Sequence, residues 1–203
     1  MIKKIAIAVA LLGIILYSLN DTKPDNRAYF AQLRKIRSDK NRAFRQSPES
    51  PLLAAQKAAF DSLKYYPAEI AFVLDATVFR NARPDTALIQ MSDNRAEKYL
   101  RWGQAQFTVE NKPQQLGVYL KADGKNSTLF IPFTDATNGH ETYGGGRYLD
   151  AALPALDAPT IKLDFNQAYN PYCAYNSEFS CPVPPAENRL PVDIPAGEKA
   201  FHD

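Results

Sequence analysis

The chain has 203 residues, of which 45% are apolar and 23% charged. That is enough for one domain with a real core, and it excludes wholesale disorder. The formal charge is +2; removing residues 1–20 takes two of the 24 basic residues and leaves 22 against 22 acidic ones, a neutral body that argues against nucleic acid as a partner. Fifteen prolines with eleven Tyr and eleven Phe point to strands joined by rigid loops.

Residues 1–24 read as a signal peptide or signal anchor. Lys3 and Lys4 precede an apolar run of fifteen residues from Ile5 to Leu19, and polar sequence begins at Asn20. As a helix that run spans roughly 22 Å against about 30 Å of hydrocarbon, short for a membrane span. No A-x-A pair follows it, which favours retention over cleavage, and no cysteine there offers a lipid attachment point. Lys23, Arg27, Arg34, Lys35 and Arg37 follow closely, charge that the positive-inside rule assigns to the cytoplasmic side. The expectation is nonetheless export: a periplasmic protein, or one anchored to the inner membrane by its N-terminal segment.

Residues 25–203 are expected to form one globular domain, with helices in 25–64 and a β-rich body in 67–203. From Asp25 to Gln46 the pattern is helical, with Tyr29, Phe30, Leu33, Ile36 and Phe44 near one face and seven Arg or Lys residues around them. Those cations form a solvated face, or one that meets anionic lipid. Ser50 and Pro51 predict the cap and first residue of a second helix, which stops before Tyr66-Pro67.

Beyond Pro67 the period becomes alternating. Strands are predicted over Phe72–Arg80, Ala87–Met91, Gln104–Glu110, Leu116–Lys121, Thr128–Phe133, Arg147–Asp150, Thr160–Phe165 and Leu190–Ile194. Turn residues at Asn111–Pro113 and Asp123-Gly124 predict an antiparallel meander between them. The fold class is therefore mainly β, an antiparallel sandwich or barrel with two N-terminal helices, α+β overall.

The unusual residues concentrate in two stretches. Asp135–Asp150 reads DATNGHETYGGGRYLD; Asp164–Asn176 reads DFNQAYNPYCAYN and is followed by CPVPPAENRLPVDIPAGE from Cys181 to Glu198. With SDKNRAF and SPL near the front, they resemble the signature of a prokaryotic family of proteins of similar length known only as a domain of unknown function. The resemblance covers most of the chain after the leader. It implies no catalytic residue, and His140 departs from the family pattern.

Read for chemistry, Asp135, Glu141, Asp150 and Asp164 are carboxylates suited to acid/base work if two meet in a cleft, or to accepting backbone N–H groups in tight loops. Gly144–Gly146 followed by Arg147 allows a concave nest of amides beside a guanidinium, suited to an anion; the alternative is a strand-joining turn with Arg147 paired to an internal acid such as Glu141. Tyr143, Tyr148, Tyr169, Tyr172 and Tyr175 are candidates for stacking on a sugar or small ring. The expected ligand site comprises Asp135, Glu141, Tyr143, Arg147, Asn166, Tyr169 and Asn170, from two stretches that should touch, and the ligand is a small anionic or sugar-like molecule.

No G-x-S-x-G elbow occurs, and His140 and His202 are the only histidines, so a nucleophile triad is disfavoured. Cys173 and Cys181 lack zinc-site spacing; no metal and no cofactor are expected, and in an exported protein the two cysteines should form a disulfide. Two functional classes remain. One is a binding or structural module at the cell envelope; the other is a small metal-independent hydrolase using a carboxylate pair.

Overall fold

The computed structural model describes residues 25–121, 128–155 and 157–202. The expected leader (1–24) and the Asp123-Gly124 turn lie outside these. The described chain divides into two units after Gln32. In the described part of the first, Arg27 N–H donates to Asp25 Oδ1 at 3.0 Å and the rings of Tyr29 and Phe30 meet edge to face.

Helix α1 spans Arg27–Gln46 and buries Leu33 and Phe44. Its cations are largely spent within the protein. Lys35 and Arg42 both reach Asp39, Lys40 reaches Glu198, Arg37 donates to the carbonyls of Tyr66 and Asn166, and Arg45 to that of Asp61. The second helix, α2 (Ala54–Ala59), is shorter than expected and starts later. Ser50 caps the other way: its hydroxyl donates to Phe44 O at the end of α1 and accepts from Leu52 N–H, while Gln56 folds back on Leu53 N–H to open α2.

Six strands make one antiparallel sheet: β1 (Val73–Gln90), β2 (Ala96–Val109), β3 (Lys112–Lys121), β4 (Thr128–Phe133), β5 (Arg147–Ala152) and β6 (Thr160–Asp164), in the order β5-β4-β3-β2-β1-β6. Just past β6 the sheet returns to its own beginning. Tyr148 and Tyr169 exchange both backbone hydrogen bonds, at 2.8 and 2.9 Å, so the architecture is a nearly closed barrel. The β2–β3 hairpin turns on Glu110 and Asn111, both at positive φ (49° and 61°), the backbone of a two-residue type I′ turn.

Two predicted strands fuse into β1 because the backbone continues through a bulge. Arg80 pairs with Gly103 and Asp85 with Arg101, so Asn81–Pro84 stand opposite Trp102 alone. Trp102 is also the extra residue against β3. An inserted residue reverses the side-chain alternation. After the bulge Ala105, Phe107 and Val109 point into the core, whereas before it Tyr99 joins a separate outer cluster with Tyr119 and Phe130. The interior is filled by Leu116, Val118, Leu129, Ile131, Phe133, Leu149, Leu163 and Phe165, and each fully buried large aliphatic contributes roughly 1.5–3 kcal/mol.

The predicted strand at Leu190–Ile194 is not one. Its alternation is real, since Leu190, Val192 and Ile194 are all core residues. Leu190 N–H does donate to Thr134 O, and Ala136 N–H to Val192 O. Ile194 N–H, however, donates to the Asp135 side chain instead of a backbone carbonyl, and the ladder ends.

Candidate functional site

The triple-glycine turn ends at Gly146, whose φ is +90° and where a Cβ would lie 2.7 Å from Phe133 O. Only glycine fits there without strain. The turn delivers Arg147 inward at the first position of β5, where its side chain is fully buried. One terminal nitrogen donates to Ala196 O and Glu198 O, the other to Asp135 Oδ2 and Ile194 O, both at 2.8 Å. The guanidinium carbon also sits 5.4 Å from the centre of the Phe133 ring. Asp135 Oδ1 accepts from the amide and hydroxyl of Thr137 and from Ile194 N–H.

This node corrects the expected partnership of Arg147. The internal acid is Asp135. Glu141 is at the surface, accepting from Tyr66 OH at 3.0 Å and Lys199 Nζ at 3.3 Å, contacts that hold its carboxyl below the usual range. Arg147 and Asp135 have no face open to a ligand, because both are buried and their charged ends are turned on each other and on backbone carbonyls and amides.

The two signature stretches do touch. Besides the Tyr148–Tyr169 pair, they converge on Glu198, a buried carboxylate that sequence reasoning did not single out. Its backbone carbonyl accepts from Arg147, while its side chain accepts from Asn170 N–H (2.8 Å), Tyr175 OH (2.6 Å), Tyr65 OH (3.2 Å) and Lys40 Nζ (2.5 Å). Asn166 is fully buried and serves as a backbone splice: its side-chain amide donates to Glu69 O and accepts from Glu69 N–H. Asn188, also missed, does the same between β3 and β4, accepting from Gly117 N–H and donating to Gly117 O and Pro132 O. Asp164 accepts from Asn166 N–H in the expected tight turn.

The open site lies on the outer face of the sheet. Strands β2, β4 and β5 direct Tyr99, Phe130, Tyr148 and Asp150 outward, and the segment 169–182 crosses over them. Together they line a cleft of about 580 Å³ that also includes Glu97, Lys121, Asn170, Tyr172 and Phe179. Tyr99 stacks on Phe130 (5.6 Å), which meets Tyr148 edge-on (4.9 Å), which meets Tyr169 edge-on (5.7 Å). Desolvation pushes the Tyr99 phenol up to about 12 and also raises Tyr148 and Tyr169, so all three are neutral at physiological pH. Asp150 accepts from Tyr169 OH at 3.0 Å. Although it reaches solvent, crowding by the aromatic wall raises its pKa, partly offset by the Tyr169 hydroxyl and Lys121. Asn170 Oδ1 is buried without a hydrogen-bond partner.

Of the seven expected ligand residues, Tyr169 and Asn170 line this cleft. Asp135, Arg147 and Asn166 are interior, Glu141 faces elsewhere, and Tyr143 OH lies 3.8 Å from Cys173 Sγ. The expected disulfide is absent: Cys173 and Cys181 are free thiols. The Cys173 amide donates to Cys181 Sγ at 3.2 Å, so the short loop does bring the two residues together, in reduced form. Among the described residues no group of three or more His, Cys, Asp and Glu is placed to hold a metal, and no helix is long and apolar enough to cross a membrane.

A nearly closed antiparallel barrel, pinned inside by an arginine–carboxylate node and carrying an aromatic cleft outside, is the class of protein that fold and site define. Residues 58–199 match the family described as "Protein of unknown function (DUF1684)", and the chain belongs to that family. The solution NMR structure of an uncharacterized protein from Haloarcula marismortui is similar, with 34% sequence identity and a TM-score of 0.71 over 88% of this chain and 98% of that one. No curated protein matches the chain.

Proposed function

We propose that the protein is a binding module whose ligand, a small neutral sugar-like molecule, occupies the aromatic cleft. One observation carries this reading: an outward wall of Tyr99, Phe130, Tyr148 and Tyr169 meets the Asp150 carboxylate and Asn170 in a single cleft. Aromatic faces suit the apolar faces of a sugar ring, and the Asp150 carboxylate, which reaches solvent, accepts from its hydroxyls. An anion is disfavoured, since Arg147 is consumed internally and the cleft sets Asp150 and Glu97 against Lys121.

The test is a thermal-shift panel of mono- and disaccharides alongside phosphate and carboxylates. A sugar at a hundredfold its Kd adds about 2.7 kcal/mol, a rise of roughly 5–10 °C for a domain of this size. Tyr172→Ala, at an exposed wall residue, should fold normally and lose the response. A response to anions alone, or one unchanged in Tyr172→Ala, overturns the proposal.

The raised pKa of Asp150, in a cleft that Glu97 also lines, favours a second reading, a metal-independent hydrolase with Asp150 as general acid. Asp150→Asn would then retain sugar binding but lose turnover of chromogenic glycosides; absence of turnover in the wild-type protein sinks it.

Location at the cell envelope belongs to the same proposal, supported by Lys3, Lys4 and the apolar run that follows. Fractionation of cells expressing the full chain and a form lacking residues 1–20 tests it. Equal recovery of both in the cytosol counts against export.

A further inference from the structure

We propose that Cys173 and Cys181 form an exchange-active dithiol, which reacts with small-molecule disulfides and closes reversibly into an intramolecular disulfide. Cys181 helps to line the aromatic cleft, but the inference does not depend on the sugar-binding reading and rests on its own geometry. Cys173 N–H donates to Cys181 Sγ at 3.2 Å, which brings the second sulfur against the backbone of the first cysteine. The loop between them is held at its far end by Ser92, whose amide donates to Cys181 O (2.9 Å) and whose hydroxyl accepts from Cys181 N–H (3.0 Å). At its near end it is held by a turn in which Tyr172 O accepts from Tyr175 and Asn176 N–H. The sulfurs therefore start in proximity on a fixed backbone.

The two thiols are also unequal. Cys173 is half-buried and Cys181 buried. The Cys181 thiol and the Tyr143 hydroxyl, whose oxygen is 3.8 Å away, both serve the sulfur of Cys173, and this donor set lowers its pKa; sharing that proton raises the pKa of Cys181. A structural thiol in an apolar core shows the opposite, being inert and hard to ionise. Cys173 is thus the attacking sulfur and Cys181 the resolving one.

The chemistry balances as follows. The Cys173 thiolate attacks one sulfur of R–S–S–R, forming a mixed disulfide and expelling RS⁻. Cys181 gives up its proton to that RS⁻ and attacks Cys173 Sγ, expelling the second RS⁻, which takes a proton from water. The protein loses two electrons and two thiol protons, and the small disulfide becomes two molecules of RSH.

The test uses the full-length reduced protein under native conditions. It is incubated with oxidised glutathione, quenched with acid and alkylated, then read by intact mass. The expected product is a monomer lighter by two hydrogens, with neither cysteine alkylated, and dithiothreitol restores both thiols. Two alkylatable thiols after excess oxidised glutathione, or only intermolecular dimers, overturn the proposal. Cys181→Ser should accumulate glutathione on Cys173, while Cys173→Ser should leave Cys181 unmodified; the reverse pattern overturns the assigned order. Where a variant fails to fold, the wild-type measurement decides alone.

Discussion

Replacing Arg147 with lysine keeps the buried positive charge but removes the planar fork that spans four acceptors. A single ammonium at that position reaches Asp135 and loses about two of the backbone carbonyls. Each stranded buried acceptor costs roughly 1–3 kcal/mol, so the variant should lose about 2–6 kcal/mol, a large share of a typical 5–15 kcal/mol. Urea unfolding followed through the buried, single Trp102 measures this directly. The partner is identified by double-mutant cycles. Arg147→Lys with Asp135→Asn should show coupling of about 0.5–3 kcal/mol, whereas Arg147→Lys with Glu141→Gln should be additive within about 0.5 kcal/mol. A lysine variant as stable as the wild type, or coupling to Glu141 and none to Asp135, would refute the node.

Gly146→Ala should destabilise the fold by more than about 1 kcal/mol, because it forces a side chain into positive φ against Phe133 O; a melting temperature equal to wild type counts against the turn geometry. For Asp150 the sign is the reverse of the usual carboxylate. Its folded pKa is raised, so the folded state binds the proton more tightly than the unfolded chain, and stability falls as pH rises from the ordinary value near 3.9 through the folded one. Asp150→Asn should therefore be more stable than wild type at pH 7 and lose that advantage at pH 3, in paired urea titrations; an asparagine variant less stable at pH 7 contradicts the assignment. Asn188→Ala removes all three hydrogen bonds of its splice between β3 and β4 and should cost about 3 kcal/mol or more by the same unfolding assay.

Periodicity alone was enough for elements whose packing is local or regular. Thr128–Phe133 alternates cleanly because Leu129, Ile131 and Phe133 all enter the core, and α1 follows from the spacing that buries Leu33 and Phe44. It failed where a side chain does the work of a backbone group. At Leu190–Ile194 the alternation is present, but Asp135 takes the rung a strand would need. It failed again at Trp102, whose bulge reverses the facing of Tyr99 without any local mark in the sequence. The signature stretches stood out because their glycines, asparagines and acids are costly unless each is specifically satisfied. That cost is met internally by Arg147, Asn166 and Glu198, and so the same residues mark the pins of the barrel more than its cleft. The cleft was hidden in sequence because its wall takes one or two outward residues from each of four strands, and Glu97, Tyr99, Lys121 and Phe130 lie outside both signature stretches.

The Arg147 node also constrains the order in which the protein is made. Three of its four acceptors belong to Ile194, Ala196 and Glu198, the first of them 47 residues downstream. At about 5–20 residues per second, a ribosome needs on the order of 2–10 s to add that stretch. During that interval the guanidinium lacks most of the groups that make its burial tolerable, and β5 cannot rest in its final place. Strands β1 to β3 have hairpin partners available at once, whereas the barrel's last edge must wait for residues 194–198, so closure is a late event in biosynthesis.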